Sequence, residues 1–564
     1  MESVVLRLSE LKLPLDHSEA DLAAAVLRRL RLAPDQLLGL RLVKRSVDAR
    51  KSAAITLVYS LDLDLDLDAR AEARLLKRFA GDPHLRPSPD TTYHPVVSGA
   101  NAGKLRPVVV GAGPCGYFAA LLLAQMGFRP LLLERGKPVK ERSADTFGFW
   151  QGKRPFNPES NAQFGEGGAG TFSDGKLYSQ VRDPRHLGRK VLEELVAAGA
   201  NPEILVLHHP HIGTFKLATV VRGLRAQITA LGGEIQFESR VDRLELNPSD
   251  HSVRGVTLAD GRFIAAQQVV MAVGHSARDS FAMLHAQGVA MERKPFSVGF
   301  RIEHPQPLID AARWGSCAGH PQLGAAEYKL VHHASNGRCV YSFCMCPGGL
   351  VVGATSEPGR VVTNGMSQHS RNERNANSGI VVNIEPEDVE PYGNGPADPL
   401  AGVAFQRHWE GQAYALGGET FAAPGQRLGD FLAGRSSQAT GSVQPSYAPG
   451  VTLTDLSSAL PDYAIEALRE ALPTFNSKIA GYAMDDAMLT GVETRTSSPV
   501  RLPRNEQLES INTPGLYPAG EGAGFAGGIL SAAMDGIRVA EALGLTLLRQ
   551  QHPEAPGESA CGPT

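Results

Sequence analysis

The sequence predicts an α/β protein. It predicts a glycine-turn domain, a mixed α+β domain inserted into it, and a small α/β domain in front. Three observations carry this. A short apolar strand at 107–110 runs into glycines at 111, 113 and 116 and then an apolar helix. A second apolar strand at 130–133 ends in Glu134. Far downstream, residues 515–521 form a strand closing on Gly520 and Glu521, followed by Gly527, Gly528, Ile529 and another apolar helix. Between the early and late pieces lie hairpin signals, so the first domain reads as interrupted.

The elements follow in order. Residues 1–80 read as the small domain. A strand covers 3–13 and Pro14 ends it. Ser18 and Asp21 have capping-box spacing ahead of a helix through Leu30, and strands cover 40–47 and 53–68. The Leu-Asp repeat at 61–68 has a period of two, which predicts a strand with one apolar and one solvated acidic face. Residues 81–105, rich in Pro, Gly, Ser and His, read as a linker. The nucleotide domain then takes 106–287 and 491–550, the insertion takes 288–490, and 551–564 reads as a disordered tail. Asn336-Gly337 and Asp260-Gly261 are hairpin turns.

Bulk properties narrow the function classes. A chain of 564 residues with 42% hydrophobic residues supports several domains. A net charge of -3 gives no general pull toward nucleic acid or anionic membranes. Basic clusters at 28–31 and 44–51 lack interleaved aromatics, so they read as a solvated surface rather than an RNA tether. Six cysteines in this length point to a reducing, cytoplasmic setting. The first residues carry no signal-peptide pattern. Residues 108–127 are uncharged and about as long as a membrane span, but their glycines and Pro114 divide them into strand, turn and helix. No membrane or nucleic-acid partner is expected.

Each part of the turn has a physical task. Gly111 allows the tight turn, Gly113 lets the backbone approach a pyrophosphate, and Gly116 lets the helix pack on the strand. The amides of the helix start, beginning at Pro114 and Cys115, favour phosphate. Glu134 stands where an acid accepts hydrogen bonds from ribose hydroxyls. The loop 161–176, dense in glycine and including Gly167 and Gly168, can offer backbone amides to a flat ring.

These stretches, with 210–214, 274–279, 294–305 and 343–377, resemble the glutathione-reductase-type FAD superfamily. Within it they are similar to a bacterial group of NAD(P)/FAD-dependent oxidoreductases called FAD-dependent dehydrogenases. The resemblance implies a two-dinucleotide-type FAD-binding Rossmann domain and FAD as cofactor. It places Arg135, Val241 and Gly274 beside the nucleotide, and Gly520, Glu521, Gly527, Gly528 and Ile529 beside the flavin, with Glu521 where Asp is more usual. It implies hydride transfer with a small-molecule substrate or with NAD(P)H as a transient reductant. A second glycine motif for a separate NAD(P)H domain is absent.

Candidates for chemistry are few. Lys176 could meet the pyrophosphate or the reduced flavin's charge. Cys344 and Cys346 form a C-x-C in a strand, whose alternation would put both thiols on one face; Cys346 is the thiol candidate, against a reading of both as buried apolar residues. His208, His209 and His211 lack zinc-like spacing, and no metal is expected. Arg301, Glu303, His304 and the polar stretches 364–367 and 371–378 could line a pocket. Two other readings stay open: a flavin-dependent RNA-modification protein, and a binding protein of the same fold without catalysis.

Overall fold

The computed structural model describes residues 5–51, 54–98 and 106–551. The N-terminal domain is an antiparallel sheet ordered Leu37–Asp48, Thr56–Leu65, Leu6–Pro14, Leu85–Pro87, with helices Glu19–Leu30 and Ala69–Arg78. The capping box forms: the Asp21 amide donates to Ser18 Oγ and the Ser18 amide to Asp21 Oδ2. Pro14 closes its strand from within.

Two expectations change here. Asp62 is buried rather than solvated, because Arg7 clamps its carboxylate at 2.8 and 3.0 Å and Arg41 adds a third contact. The remaining acids of the repeat, Asp64, Asp66 and Asp68, are exposed. The stretch 81–105 is not all linker, since Leu85–Pro87 pairs with Leu6–Pro14. The basic clusters are partly neutralised: Arg29, Arg45 and Arg50 pair with Asp82, Glu203 and Asp48.

The next sheet has five parallel strands, ordered Leu516–Pro518, Val269–Met271, Val108–Val110, Leu131–Leu133, Glu234–Gln236. All but the last are apolar runs, as a sheet covered on both faces requires. The edge strand Leu516–Pro518 comes from the far end of the chain, so the sheet is complete only after the insertion has been made. Helix Pro114–Gln125, buried from Cys115 to Ala124, packs against Ile529–Gln551. Gly536 allows their approach, because a Cβ there would lie 2.2 Å from the Cys115 carbonyl oxygen.

The inserted domain is a large mixed sheet ordered Val331–His333, Cys339–Gly353, Asn375–Ile384, Phe296–Pro305, Met488–Glu493, Ala423–Arg427, Val451–Leu453, with Thr363–Ser367 on the second of these. Asn336-Gly337 joins the first pair, His333 opposite Cys339. The sheet runs to Glu493, past the expected boundary at 490. Glu292–Arg293 pairs with Val500–Arg501, which ties the entry and exit of the insertion together. Gln551 ends the last helix, and the rest of the expected tail lies outside the described residues. Among the described residues no helix is long and apolar enough to cross a membrane.

Candidate functional site

A cavity of about 380 Å³ opens where the carboxyl ends of the parallel strands face the inserted sheet. This is the crevice in which open α/β sheets bind ligands. Its first wall is the glycine turn. Gly111 has φ 103°, and a Cβ there would lie 2.4 Å from the Ala272 carbonyl oxygen. Gly116 sits behind the wall, its hypothetical Cβ 1.8 Å from the Gly111 carbonyl oxygen. Gly113 is the N-cap of the following helix, with Pro114 at its first position and no side-chain cap. The first-turn amides therefore have no intrahelical partner.

The second wall is the loop 161–176. Its fold depends on Arg142, a fully buried side chain that donates to the carbonyls of Asn161, Ala162, Gly165 and Glu166 at 2.7–3.2 Å. The Gly167 amide donates to the Ala112 carbonyl at 2.8 Å, which ties the loop to the turn. Glu134 ties them a second time, accepting from the amides of Ala112, Gly136 and Gly165 at 2.8–2.9 Å. Glu134 is also among the residues lining the cavity, and its two carboxylate oxygens keep acceptor capacity beyond these three bonds.

Arg135 lies 4.0 Å over the Phe164 ring and pairs with Glu159 and Asp279. With Val241 and Arg240 it lines one end of the cavity. The other end is lined by Lys176, Asn364, Cys344, Glu521, Gly527, Gly528 and Ile529, the last beginning the helix Ile529–Gln551. Gly168 and Gly274 also line the cavity, whereas Gly116, Gly167 and Gly520 stand behind its surface. Gly520 donates its amide to Asp535 at 2.7 Å.

Charge is arranged in two networks across the domain junction. Lys176 pairs with Asp174 at 2.7 Å and Glu327 at 3.3 Å, and Arg371 pairs with the same two acids at 2.5 and 2.9 Å. Burial opposes ionisation of Asp174, but Lys176 and Arg371 outweigh it and hold the carboxyl below its usual range. The same burial opposes the Lys176 ammonium, and Asp174 and Glu327 more than restore it. Lys176 is thus a fixed cation at the cavity wall. In the second network Arg278 and Arg495 share the buried Glu410. His275, on the wall, is brought down to about 3 by burial and by Arg495 and Arg278, and stays neutral.

Burial pushes the Glu521 carboxyl up to about 7, with Lys294 pulling the other way. The thiols do not share a face as strand alternation predicted. Cys344 has φ 43°, and the register against Asn375–Ile384 shifts between Phe343 and Cys346. Cys344 lines the cavity while Cys346 is fully buried behind it. Among the other pocket candidates, Arg301 is spent on Glu493 and Glu303 on Ser446 and Asn375. His304 meets the Tyr482 carbonyl. Among the described residues no cluster of three or more metal-binding side chains forms.

The cavity fits FAD on its own geometry. A glycine cradle that side chains would fill faces uncapped helix amides at its middle. An aromatic-cation wall stands at one end, and a glycine pair opening a helix stands at the other. Arg142, Arg278 and Arg495 were not singled out from sequence. Each is an arginine inside a domain, and only the fold reveals the carbonyls and carboxylates that hold it.

Family models agree with this chemistry. Residues 166–387 match a model described as FAD dependent oxidoreductase, residues 295–496 match an FAD-dependent protein, C-terminal domain-like, and residues 5–64 match a domain of unknown function. Among solved structures, the chain is similar to quinol fumarate reductase from E. coli (14% identity, 81% of this chain and 72% of that one, TM-score 0.34). It is also similar to a glycine oxidase from Bacillus cereus (11% identity, 79% and 96%, TM-score 0.33). A protein of Clostridium beijerinckii, itself uncharacterised, is 45% identical over 539 residues, 95% of this chain and 98% of that protein. The chain therefore belongs to the same family as the Clostridium beijerinckii protein, a family of the FAD-dependent oxidoreductase type.

Proposed function

We propose that this protein is an FAD-dependent dehydrogenase acting on a small-molecule substrate. The observation that carries the reading is the cavity itself, whose wall is assembled from the turn 111–116, the loop 165–176 and the late segment 521–529. FAD, when bound, supplies two-electron hydride chemistry with the substrate or with NAD(P)H. Gly111, Gly113, Pro114 and Cys115 would hold the pyrophosphate, with Glu134 on the adenosine ribose and Arg135 and Val241 beside the adenine. Gly168, Gly274, Glu521, Gly527, Gly528 and Ile529 would hold the remainder. Lys176, fixed by two acids, would set a positive charge near the ring, where electrostatic preorganisation has its largest effect. The inserted sheet would close the substrate side.

The purified protein is expected to show a flavin spectrum and to release FAD on denaturation. Anaerobic addition of NADH or NADPH would then show whether a nicotinamide serves as reductant. A colourless protein that takes up no added FAD would sink the reading.

Glu521 gives a second expectation. It changes charge near pH 7. Above that pH it places an anion beside an anionic cofactor. FAD affinity is expected to fall by roughly tenfold as pH rises from 6 to 8, an effect of about 1.4 kcal/mol. Glu521→Gln should flatten this profile, measured as the Kd for FAD by quenching of its fluorescence.

A further inference from the structure

FAD binding leaves one chemistry-bearing motif at the cavity without a task, the pair Cys344 and Cys346. We propose that these two residues form a dithiol–disulfide couple that exchanges electrons with the flavin, with Cys344 as the member facing the cavity. The inference rests on the reading of the cavity as an FAD site.

Backbone geometry comes first. In a regular strand residues i and i+2 lie about 6.6 Å apart at Cα, at the outer edge of what a disulfide spans. Here the strand is not regular. Cys344 occupies the left-handed region at φ 43°, unusual for a non-glycine residue, and the ladder slips between Phe343 and Cys346. Such strain persists only where the surroundings enforce it. It brings the Cys346 thiol 3.4 Å from the Cys344 carbonyl oxygen, to which it donates. Gly365 leaves the space that Cys346 fills, since a Cβ there would lie 2.7 Å from its sulfur. Both cysteines are free thiols in the structure.

The surroundings make the two thiols unequal. The neighbouring Cys346 thiol, working against burial and helped by Arg301 and Lys176, brings Cys344 down to about 6. Cys346 is pushed up by the same interaction and by burial. Arg301 also donates to the Cys344 carbonyl at 2.8 Å and is itself anchored by Glu493. The cavity-facing sulfur is therefore a thiolate at neutral pH, as an exchanging thiol requires, and the partner behind it keeps its proton. Cysteines kept only for packing need neither a strained backbone nor a cationic pocket.

The step balances within the site. At neutral pH, forming the sulfur–sulfur bond between the Cys344 thiolate and the Cys346 thiol releases two electrons and one proton, the one carried by Cys346. Bound FAD is the oxidant that takes them up, and the reverse transfer restores the thiolate and the thiol. Glu521, close enough to Cys344 to feel its charge, can accept or return a proton near neutral pH.

The test uses the full-length protein. After treatment with diamide, the peptide spanning 344–346 is expected to lose the mass of two hydrogens, and Cys344→Ser and Cys346→Ser should abolish that loss. Photoreduction of the oxidised holoprotein should consume two electron pairs per FAD in the wild type and one in either variant. Alkylation of Cys344 by iodoacetamide should rise through pH 6 in the wild type, and through a higher pH in Cys346→Ala, which removes the thiol donor. A flavin-loaded protein whose thiols stay reduced after diamide, and which takes up a single electron pair, would overturn the couple. A protein that forms the disulfide but binds no FAD would overturn the electron exchange and the flavin reading with it.

Discussion

Replacing Gly113 with alanine is expected to leave the fold intact and to weaken FAD binding by about a hundredfold, ~2.8 kcal/mol. The separation of the two effects comes from the geometry of the turn. A Cβ at Gly113 would meet a single atom, the Gly168 Cα at 3.9 Å, which is ordinary contact, and its φ of -77° suits any residue. The added methyl therefore disturbs nothing in the protein, but it occupies the surface where a pyrophosphate must approach the helix amides. Gly116 behaves differently. Its Cβ would fall 1.8 Å from the Gly111 carbonyl oxygen, and backbone cannot yield by that much without undoing the turn. Gly116→Ala is expected to lose flavin and stability together. Gly527→Ala adds a methyl with nothing inside 4 Å and should cost less than either. Thermal unfolding and fluorescence titration with FAD, run on all three variants, give the ranking. Equal FAD affinity in Gly113→Ala and wild type would show that the turn does not hold the cofactor.

The turn was readable because its requirements are local. A tight φ, a close helix and a free amide row all fall within six neighbouring residues, and glycine spacing records them. Glu134 was readable for the same reason, yet its observed bonds go to the amides of Ala112, Gly136 and Gly165, so it braces the site as well as facing it. Long-range arrangement was hidden. Arg142, which shapes the loop 161–166 through four carbonyls, looks in sequence like any helical arginine. Asp62 shares a repeat with solvated neighbours and is buried only because Arg7 sits across the sheet. The strand Leu85–Pro87 contains a proline and lies in a turn-rich stretch, so local composition argued for a connector. The thiols were misplaced because a period of two holds only in a regular strand, and the departure at Cys344 is imposed by tertiary packing. The late strand Leu516–Pro518, which joins the sheet of Val108–Val110, carries a local glycine signal, whereas the pairing of Glu292–Arg293 with Val500–Arg501 carries none.

Glu410→Ala is expected to destabilise the protein by about 3–5 kcal/mol, because it leaves two buried guanidinium groups without their shared anion. Glu410 is fully buried and accepts from Arg278 at 2.5 and 2.8 Å, from Arg495 at 3.0 and 3.1 Å and from Thr494 at 2.8 Å. Glu357 and Gln406 also hold Arg278, so that side chain keeps partners; Arg495 retains only the hydroxyls of Ser276 and Ser356. The loss should reach the cavity, since Arg278 opens the helix Arg278–Ala286 directly after the wall residues 274–277, and Arg495 lines the cavity itself. Burial opposes the Glu410 carboxylate, and the two arginines overcome it and hold its carboxyl far below the ordinary range. A depressed carboxyl stabilises the fold above its unfolded value, about 4.3, and loses that contribution as pH falls below it. The gap between wild type and Glu410→Gln should therefore be full at pH 7 and shrink steadily below pH 4, followed by urea unfolding with both cofactor and intrinsic fluorescence. Adding Arg495→Met to Glu410→Leu removes one unpaired cation along with the anion and should recover part of the loss, as buried ion pairs exchanged for packed apolar side chains do. If Glu410→Ala unfolds at the wild-type urea midpoint, the network does not hold the two domains on the site.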